Sequence, residues 1–295
     1  MTGRAADTVP SGLMRIDLHT HSIASDGTLS PAELMTAAAA AGLDVIALTD
    51  HDTTGGWEPA RAALPAGLTL VPGAELSCRW YGPDQTTALH LLAYLFDPDD
   101  PALCEALAAV RSDRERRAQR MVDLMRADGI DVTWEEIVRY AAGGTVGRPH
   151  LAQALIRRGM AASVSEAFAP HLLGERYRLP KHDLDVFDAL RLVRDAGGVT
   201  VFAHPHATKR GRIVPDAVIA EMAAAGLFGL EADHDDHSPA ERAYVRALAA
   251  DLGLVVTGSS DFHGTNKTVP LGAYTTAPDV YERIVGAAKG YGPLR

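Results

Sequence analysis

Two cysteines in 295 residues, Cys78 and Cys104, are too few for a disulfide framework and do not have the spacing of a zinc ribbon. Both read as small core residues, and a reducing cytoplasm is the expected compartment. Nowhere do 18 apolar residues run together, which excludes a membrane-spanning helix. Residues 1–13 lack the apolar stretch of a signal peptide and are expected to form a flexible tail. Positive charge is short as well: 28 Lys and Arg against 38 Asp and Glu leave a formal charge of −10, which argues against a grip on long duplex nucleic acid. Bound divalent cations would reverse that balance locally, so a small phosphorylated substrate stays compatible with the acidic sum.

What is present is an ordinary globular composition, 47% hydrophobic and 22% charged. The length suits one large α/β barrel or a core domain carrying an insertion. The stretch Asp17-Leu18-His19-Thr20-His21-Ser22-Ile23-Ala24-Ser25-Asp26 follows an apolar run and puts two imidazoles one residue apart. On a strand, residues i and i+2 face one side, so His19 and His21 can share a metal ion; alone, such a pair is as readily a coincidence.

Similar fragments recur where other apolar runs stop. A capping-box spacing at Ser30 and Glu33 opens a helix over 31–41, and 44–49 reads as a buried parallel strand ending in Thr49-Asp50-His51-Asp52. A helical stretch near 57–64 leads to a strand over 68–71, which ends in Pro72-Gly73-Ala74-Glu75. The apolar run 88–96 contains His90, by itself readable as a satisfied core histidine. Residues 101–196 show helical periodicity with no strand expected, and read as an inserted helical segment. Its Arg111, Arg114, Arg116, Arg117 and Arg120 are most simply a solvated helix face. The βα rhythm then resumes: a strand over 199–203 ends in His204-Pro205, one over 227–230 ends at Glu231, and one over 254–257 leads to Ser260-Asp261-Phe262-His263. Parallel barrels place active sites at the C-terminal ends of their strands, where loops vary while the barrel stays packed.

Taken together, Asp17–His21, Thr49-Asp50-His51-Asp52, Gly73-Ala74-Glu75, Ala203-His204-Pro205 and Ser260-Asp261-Phe262-His263 resemble the PHP (polymerase and histidinol phosphatase) family of metal-dependent phosphoesterases. The resemblance implies an α/β fold, a distorted (β/α)7 barrel over 14–100 and 197–295, with 101–196 as a helical insertion covering the active site. It implies two to three divalent ions, Mn²⁺ foremost, with Zn²⁺ or Fe²⁺ as alternatives for an imidazole and carboxylate ligand set. One ion would be held by His19, His21, Glu75 and Asp261; a second by Glu75, His90 and His204; a third by Asp26, His51 and His263. Water activated between such ions would attack phosphorus without a protein nucleophile. Many relatives carry histidine where Asp26 stands, so the third ion depends most on that residue.

Gly147-Arg148-Pro149-His150, 177–181 and 231–238 look more narrowly like the subgroup of nucleoside 3′,5′-bisphosphate phosphatases and 5′-to-3′ exoribonucleases. The implied activity is hydrolysis of phosphate esters of small nucleotides or short 5′-phosphorylated RNA. Arg148, with its planar fork of donors, His150, Lys181 and His234 are the candidate substrate contacts. Asp50 reads either as a carboxylate orienting a ligand imidazole or as a turn cap, Asp52 as a second orienting carboxylate, and His237 as the first candidate for general acid. His171, His182 and His206 are expected on the surface or in loops. The competing readings are a histidinol-phosphate phosphatase or generic phosphomonoesterase, and a non-catalytic metal-binding accessory module.

Overall fold

The computed structural model describes residues 14–141, 144–181 and 183–295; the expected tail over 1–13 and His182 lie outside the described residues. The element order is β1 (Ile16–Asp17), α1 (Pro31–Ala40), β2 (Val45–Leu48), α2 (Trp57–Ala62), β3 (Thr69–Tyr81), β4 (Thr86–Tyr94), α3 (Pro101–Ala127), α4 (Trp134–Ala141), α5 (Arg148–Arg157) and α6 (Val164–Ala167). Then follow β5 (Leu184–Asp185), α7 (Val186–Asp195), β6 (Val199–Phe202), α8 (Asp216–Ala224), β7 (Gly229–Asp233), α9 (Pro239–Asp251), β8 (Val255–Gly258) and α10 (Pro278–Ala287). Strands run β1-β2-β3-β4-β6-β7-β8 around the sheet, with β5 added beside β3. A parallel bridge from Thr20 to Phe262 and a hydrogen bond from Thr276 N to Ile16 O draw the two ends together. The result is a nearly closed α/β barrel, the fold class expected from the sequence.

Three differences from the expected layout place the site. First, β4 pairs antiparallel with both β3 and β6, so the ring is mixed rather than parallel. Second, β3 does not end at Pro72-Gly73 but continues to Tyr81. Proline there reads as a breaker because it offers no N–H, yet its carbonyl still accepts from Leu95 N, and the Gly73 carbonyl accepts from Trp57 Nε1 at 2.8 Å. A Cβ at Gly73 would stand 2.8 Å from the Ala93 carbonyl, so only glycine lets the neighbouring strand approach this closely. Glu75 and His90 therefore lie inside a long hairpin, not at strand ends. Third, β5 interrupts the segment expected to be wholly helical; two residues are too few to leave a periodicity.

The strand period of two sorts the hairpin. Ala74, Leu76 and Cys78 join Leu89, Leu91 and Ala93 in a core against α7 and the start of α3. Glu75, Ser77 and Arg79 take the opposite face. A second core, Ile16, Leu18, Val45, Ala47, Val71, Leu92, Tyr94 and Val201 with Ile284 of α10, fills the barrel. Ala118, Met121, Val122 and Met125 of α3 pack with α4, α5 and Leu173 in a cluster of their own. Thus α3 spans both bodies: Leu103 and Leu107 belong to the barrel core and its later turns to the helical one.

Candidate metal centre

Each strand that closes the barrel delivers polar side chains to the same end. His19 and His21 leave β1, where the His21 N–H donates to Phe262 O at 2.9 Å. Glu75 and His90 project from facing strands of the hairpin, His204 follows β6, and Asp261 follows β8. His204 and Asp261 hold positive φ of 35° and 51°, a strained backbone for side-chain-bearing residues. All six are at least three-quarters buried.

Their donor atoms converge. The Nε2 atoms of His19 and His21 are 3.1 Å apart, each within 3.2 Å of Glu75 Oε2 and 3.4 Å from Asp261 Oδ1. Glu75 Oε1 faces His90 Nδ1 at 2.7 Å and His204 Nε2 at 3.3 Å. Asp26 lies 3.3 Å from His263 Nε2, 3.7 Å from His21 Nδ1 and 3.8 Å from His51 Nε2. Among the described residues, four groups of donor atoms come together here, one of them His234, Asp236 and Asp261 behind the cluster; the three at its centre are His19, His21, Glu75 and Asp261; His51, Glu75 and His90; and His21, Asp26, His51 and His263. The first of these three is the set expected for one ion. In the other two, His51 stands by Glu75 as well as Asp26, and His21 joins the Asp26 group.

These residues fit divalent ions. Burial pushes the His21 imidazole down, but hydrogen bonds to Asp261 and Glu75 outweigh it and lift it to about 9. His19 moves the same way, burial being outweighed by Asp261, Glu231 and Glu75. At His51 and His263 burial prevails and lowers both, and it holds His204 at about 3 with Arg210 beside it. Asp26, Glu75 and Asp261 are held well down by neighbouring cationic groups despite burial. Moreover His51 Nδ1, His90 Nδ1 and Asp261 Oδ1 are buried facing other members of this cluster without a well-aligned hydrogen bond. Such donor atoms, with nitrogen and oxygen ligands and no thiolate, suit Mn²⁺, Zn²⁺ or Fe²⁺. When bound, close divalent ions acidify a shared water and neutralise phosphoryl oxygens.

The residues behind the ligands were only partly visible in the sequence. Glu231 accepts from His19 Nδ1 at 3.0 Å, Ser259 Oγ at 2.7 Å and His204 N at 2.9 Å, so it orients the ring of one candidate ligand and fixes the backbone of another. Its place directly after the apolar run 227–230 was the available signal, although β7 carries on past it to Asp233. His234 Nε2 lies 3.1 Å from Asp261 Oδ2, and the Asp236 N–H donates to its Nδ1, so His234 supports a ligand. Arg210 and Lys267 also reach Asp261 Oδ2, at 2.8 and 2.5 Å.

Other expectations meet a different geometry. Asp50 accepts from Ser22 N, Ser22 Oγ and Ser25 Oγ, which ties down the turn before Asp26; it touches His21 only through Ser25. Asp52 accepts from Ser77 N, Ser77 Oγ and Arg114 Nη2, and no imidazole. His237 donates from Nδ1 to Ala232 O, and its nearest aromatic neighbour is the His234 ring at 6.0 Å. His150 is 3% exposed and accepts the Gly147 N–H at Nδ1. His206 stands in the loop after β6, buried against Tyr244 and paired with Asp216 at 3.0 Å. Arg148 stacks over Phe168, 4.6 Å to the ring centre, and donates to Leu173 O. Together with Arg79, Arg117, Arg178 and Lys181 it lines a cavity of about 510 Å³ between the hairpin and the helical segment.

The model of the PHP domain matches residues 17–126. Over 255 residues the chain is 34% identical to a 3′,5′-nucleoside bisphosphate phosphatase of Chromobacterium violaceum, covering 85% of this chain and 88% of that one. Over 272 residues it is 32% identical to the 5′-3′ exoribonuclease Rnm of Escherichia coli, with 91% and 92% covered. In three dimensions it matches a Bifidobacterium adolescentis chain described as a metal-dependent phosphoesterase, with a TM-score of 0.86, 34% identity, and 94% and 97% of the two chains covered. The chain belongs to the PHP domain family and is a metal-dependent phosphoesterase.

Proposed function

We propose that the substrate is a small nucleotide bearing a second anionic group beside the scissile phosphate: a nucleoside 3′,5′-bisphosphate or a short 5′-phosphorylated oligoribonucleotide. The cationic cavity carries this reading. Arg79 lies four residues beyond Glu75 on the same face of β3, about 13 Å along the strand at roughly 3.3 Å per residue. Five cations gather there, and the Nε atoms of Arg79 and Arg148 are buried without partners. Two carboxylates answer part of that charge, Asp183 pairing with Arg79 and Lys181 at 2.9 and 3.0 Å and Asp113 with Arg117 at 3.3 Å. A monoester with one phosphate would leave the rest unmet, and histidinol phosphate would bring an ammonium group towards it. The proposed assignment keeps Arg148 and Lys181 as substrate contacts and moves His150 and His234 to supporting roles. His19, His21, Glu75, His90, His204, Asp261, Asp26, His51 and His263 are the proposed ligands of two to three ions, Mn²⁺ first.

The helical segment within 101–196 would roof the barrel mouth and close the cavity. Among the described residues no helix is long and apolar enough to cross a membrane, and Cys78 and Cys104 are both free, which supports a cytoplasmic setting. An inert accessory role is disfavoured by ligand atoms kept buried without well-aligned hydrogen bonds at a stability cost. The deciding assay offers the Mn²⁺-loaded protein 3′-phosphoadenosine 5′-phosphate, short 5′-phosphorylated RNA and histidinol phosphate. Turnover of either nucleotide substrate well above histidinol phosphate is expected; preference for histidinol phosphate would overturn the substrate assignment.

A further inference from the structure

We infer that the helical segment builds the third metal position rather than only covering the site: Gly144, Thr145 and His150 act as positioning residues for the loops that carry Asp26 and His51. The inference rests on the proposed reading of Asp26, His51 and His263 as metal ligands.

The nine proposed ligands differ in what holds them. Glu75 and His90 sit within sheet ladders, His51 bridges to Glu75, and His19, His204 and Asp261 stand two or three residues past strand ends. Asp26 is nine residues beyond β1, in a loop whose own backbone bonds are few: Ser25 N and Gly27 N to Ser22 O, and Ile23 N to Leu29 O. The barrel ties that loop before and after Asp26, through Asp50, which accepts from Ser22 N, Ser22 Oγ and Ser25 Oγ, through Thr265 N to Thr28 Oγ1 at 2.9 Å, and through Asn266 Nδ2 to Asp26 O at 2.9 Å.

The three residues before Asp26 are each met by the helical segment. Gly144 lies so close to Ile23 and Ala24 that a Cβ there would overlap the Ile23 carbonyl and the Ala24 backbone. Thr145 N donates to Ala24 O at 2.8 Å. His150 is buried beside the backbone of Ser25, with its Nδ1 committed to Gly147 N. The same segment reaches the neighbouring ligand: Thr145 Oγ1 donates to the His51 carbonyl at 3.4 Å, and Arg111 of α3 donates to the next carbonyl, Asp52 O, at 2.6 Å. Asp26 thus takes contacts from the helical segment on each of the three residues before it, and His51, bridged to Glu75 of β3, is braced from the same side. No comparable set of contacts reaches His19 or His204 among the described residues.

The test counts metal. Chelator-stripped protein is reloaded with Mn²⁺, passed through a desalting column and assayed for ions per chain by plasma mass spectrometry, for Gly144→Ala, His150→Ala, His150→Gln and Asp26→Asn beside the wild type. Far-ultraviolet circular dichroism checks that each variant is folded. Asp26→Asn should lose one ion relative to wild type, and Gly144→Ala and His150→Ala should lose the same ion, with kcat reduced and KM for 3′-phosphoadenosine 5′-phosphate within about twofold. Glutamine at the third position of α5 can still accept the Gly147 N–H, so His150→Gln should regain the ion. In the Asp26→Asn background, His150→Ala should add less than about twofold to the loss in kcat, because both act on one ligand. Wild-type ion counts in both Gly144→Ala and His150→Ala, or rate losses that multiply with Asp26→Asn, would overturn the inference. If Asp26→Asn itself loses no ion, the third-site reading fails and takes the inference with it.

Discussion

His19 Nδ1 lies 3.0 Å from Glu231 Oε1 while Nε2 of the same ring lies 3.2 Å from Glu75 Oε2. One carboxylate thus fixes the tautomer and aim of a ring whose other nitrogen is turned into the proposed metal cluster. Removing the charge at Glu231 keeps the shape but weakens that hold. Glu231→Gln should cost about 10- to 100-fold in Mn²⁺ affinity or rate, the usual size of such an effect. Calorimetric titration of the stripped protein reads it directly; affinity and rate both within twofold of wild type would remove Glu231 from the account.

The cationic cavity makes a separate prediction about binding. Arg117→Met and Arg148→Met each remove a charge that the second anionic group would meet, while the metal ligands stay in place. A charge-assisted hydrogen bond contributes about 1.5–3 kcal/mol, so kcat/KM for 3′-phosphoadenosine 5′-phosphate should fall roughly 10- to 100-fold. Hydrolysis of a small aryl phosphate, which has no second anion, should change little. Equal losses on both substrates would place the arginines in the scaffold.

Much of this arrangement could be read from the chain because strand ends carry their polar residues in sequence order. His19, His21, His51, His204, Asp261 and His263 each follow an apolar run, and the structure brings their donor atoms to one end of the barrel. Glu75 and His90 were nameable as residues but not as positions, because Pro72-Gly73 reads as a stop where the strand continues. Glu231, Arg210 and Lys267 were not assigned roles, since what they do depends on which ligand lies opposite after folding. Asp52 shows the converse: adjacency to His51 suggested contact with an imidazole, but its oxygens turn to Ser77 and Arg114, while those of Asp50, read as either an orienting carboxylate or a turn cap, meet the turn at Ser22 and Ser25. Contacts across the barrel and to the helical segment leave no local pattern to find.

Barrel stability offers a prediction independent of chemistry. The Tyr94 hydroxyl donates to Leu18 O at 2.8 Å inside the barrel, next to His19. Tyr94→Phe leaves that buried carbonyl unpaired and should cost about 1–3 kcal/mol. Urea denaturation of the metal-free protein measures it, and an unchanged midpoint would show that the carbonyl finds another donor.

Acid sensitivity of the helical segment follows from Glu136. Its carboxylate accepts from Arg158 Nη1 and Nη2 at 2.7 and 2.6 Å and from the Tyr140 hydroxyl at 2.5 Å, and the Arg158 hydrogen bonds hold its pKa down to about 2 against the ordinary 4.5. A depressed carboxylate stabilises the folded state above its unfolded pKa and loses that contribution as pH falls through the folded value. Glu136→Gln should therefore lower Tm at pH 7 by an amount worth about 1 kcal/mol, after allowance for solvent screening. The gap from wild type should close between about pH 4.5 and 2. A gap that is constant over that window would contradict the assignment.

The central claim is that the imidazoles and carboxylates at the barrel mouth form one catalytic metal centre, and bound metal measured alongside hydrolysis tests it most directly. Stripping divalent ions should abolish turnover of 3′-phosphoadenosine 5′-phosphate, and Mn²⁺ should restore it as two to three ions bind per chain. His19→Ala and Asp261→Ala should each lose bound metal and at least about 10²-fold in rate, because a catalytic ion supplies several kcal/mol of transition-state stabilisation. Full activity in the stripped protein, or near-normal rate and metal content in both variants, would contradict it.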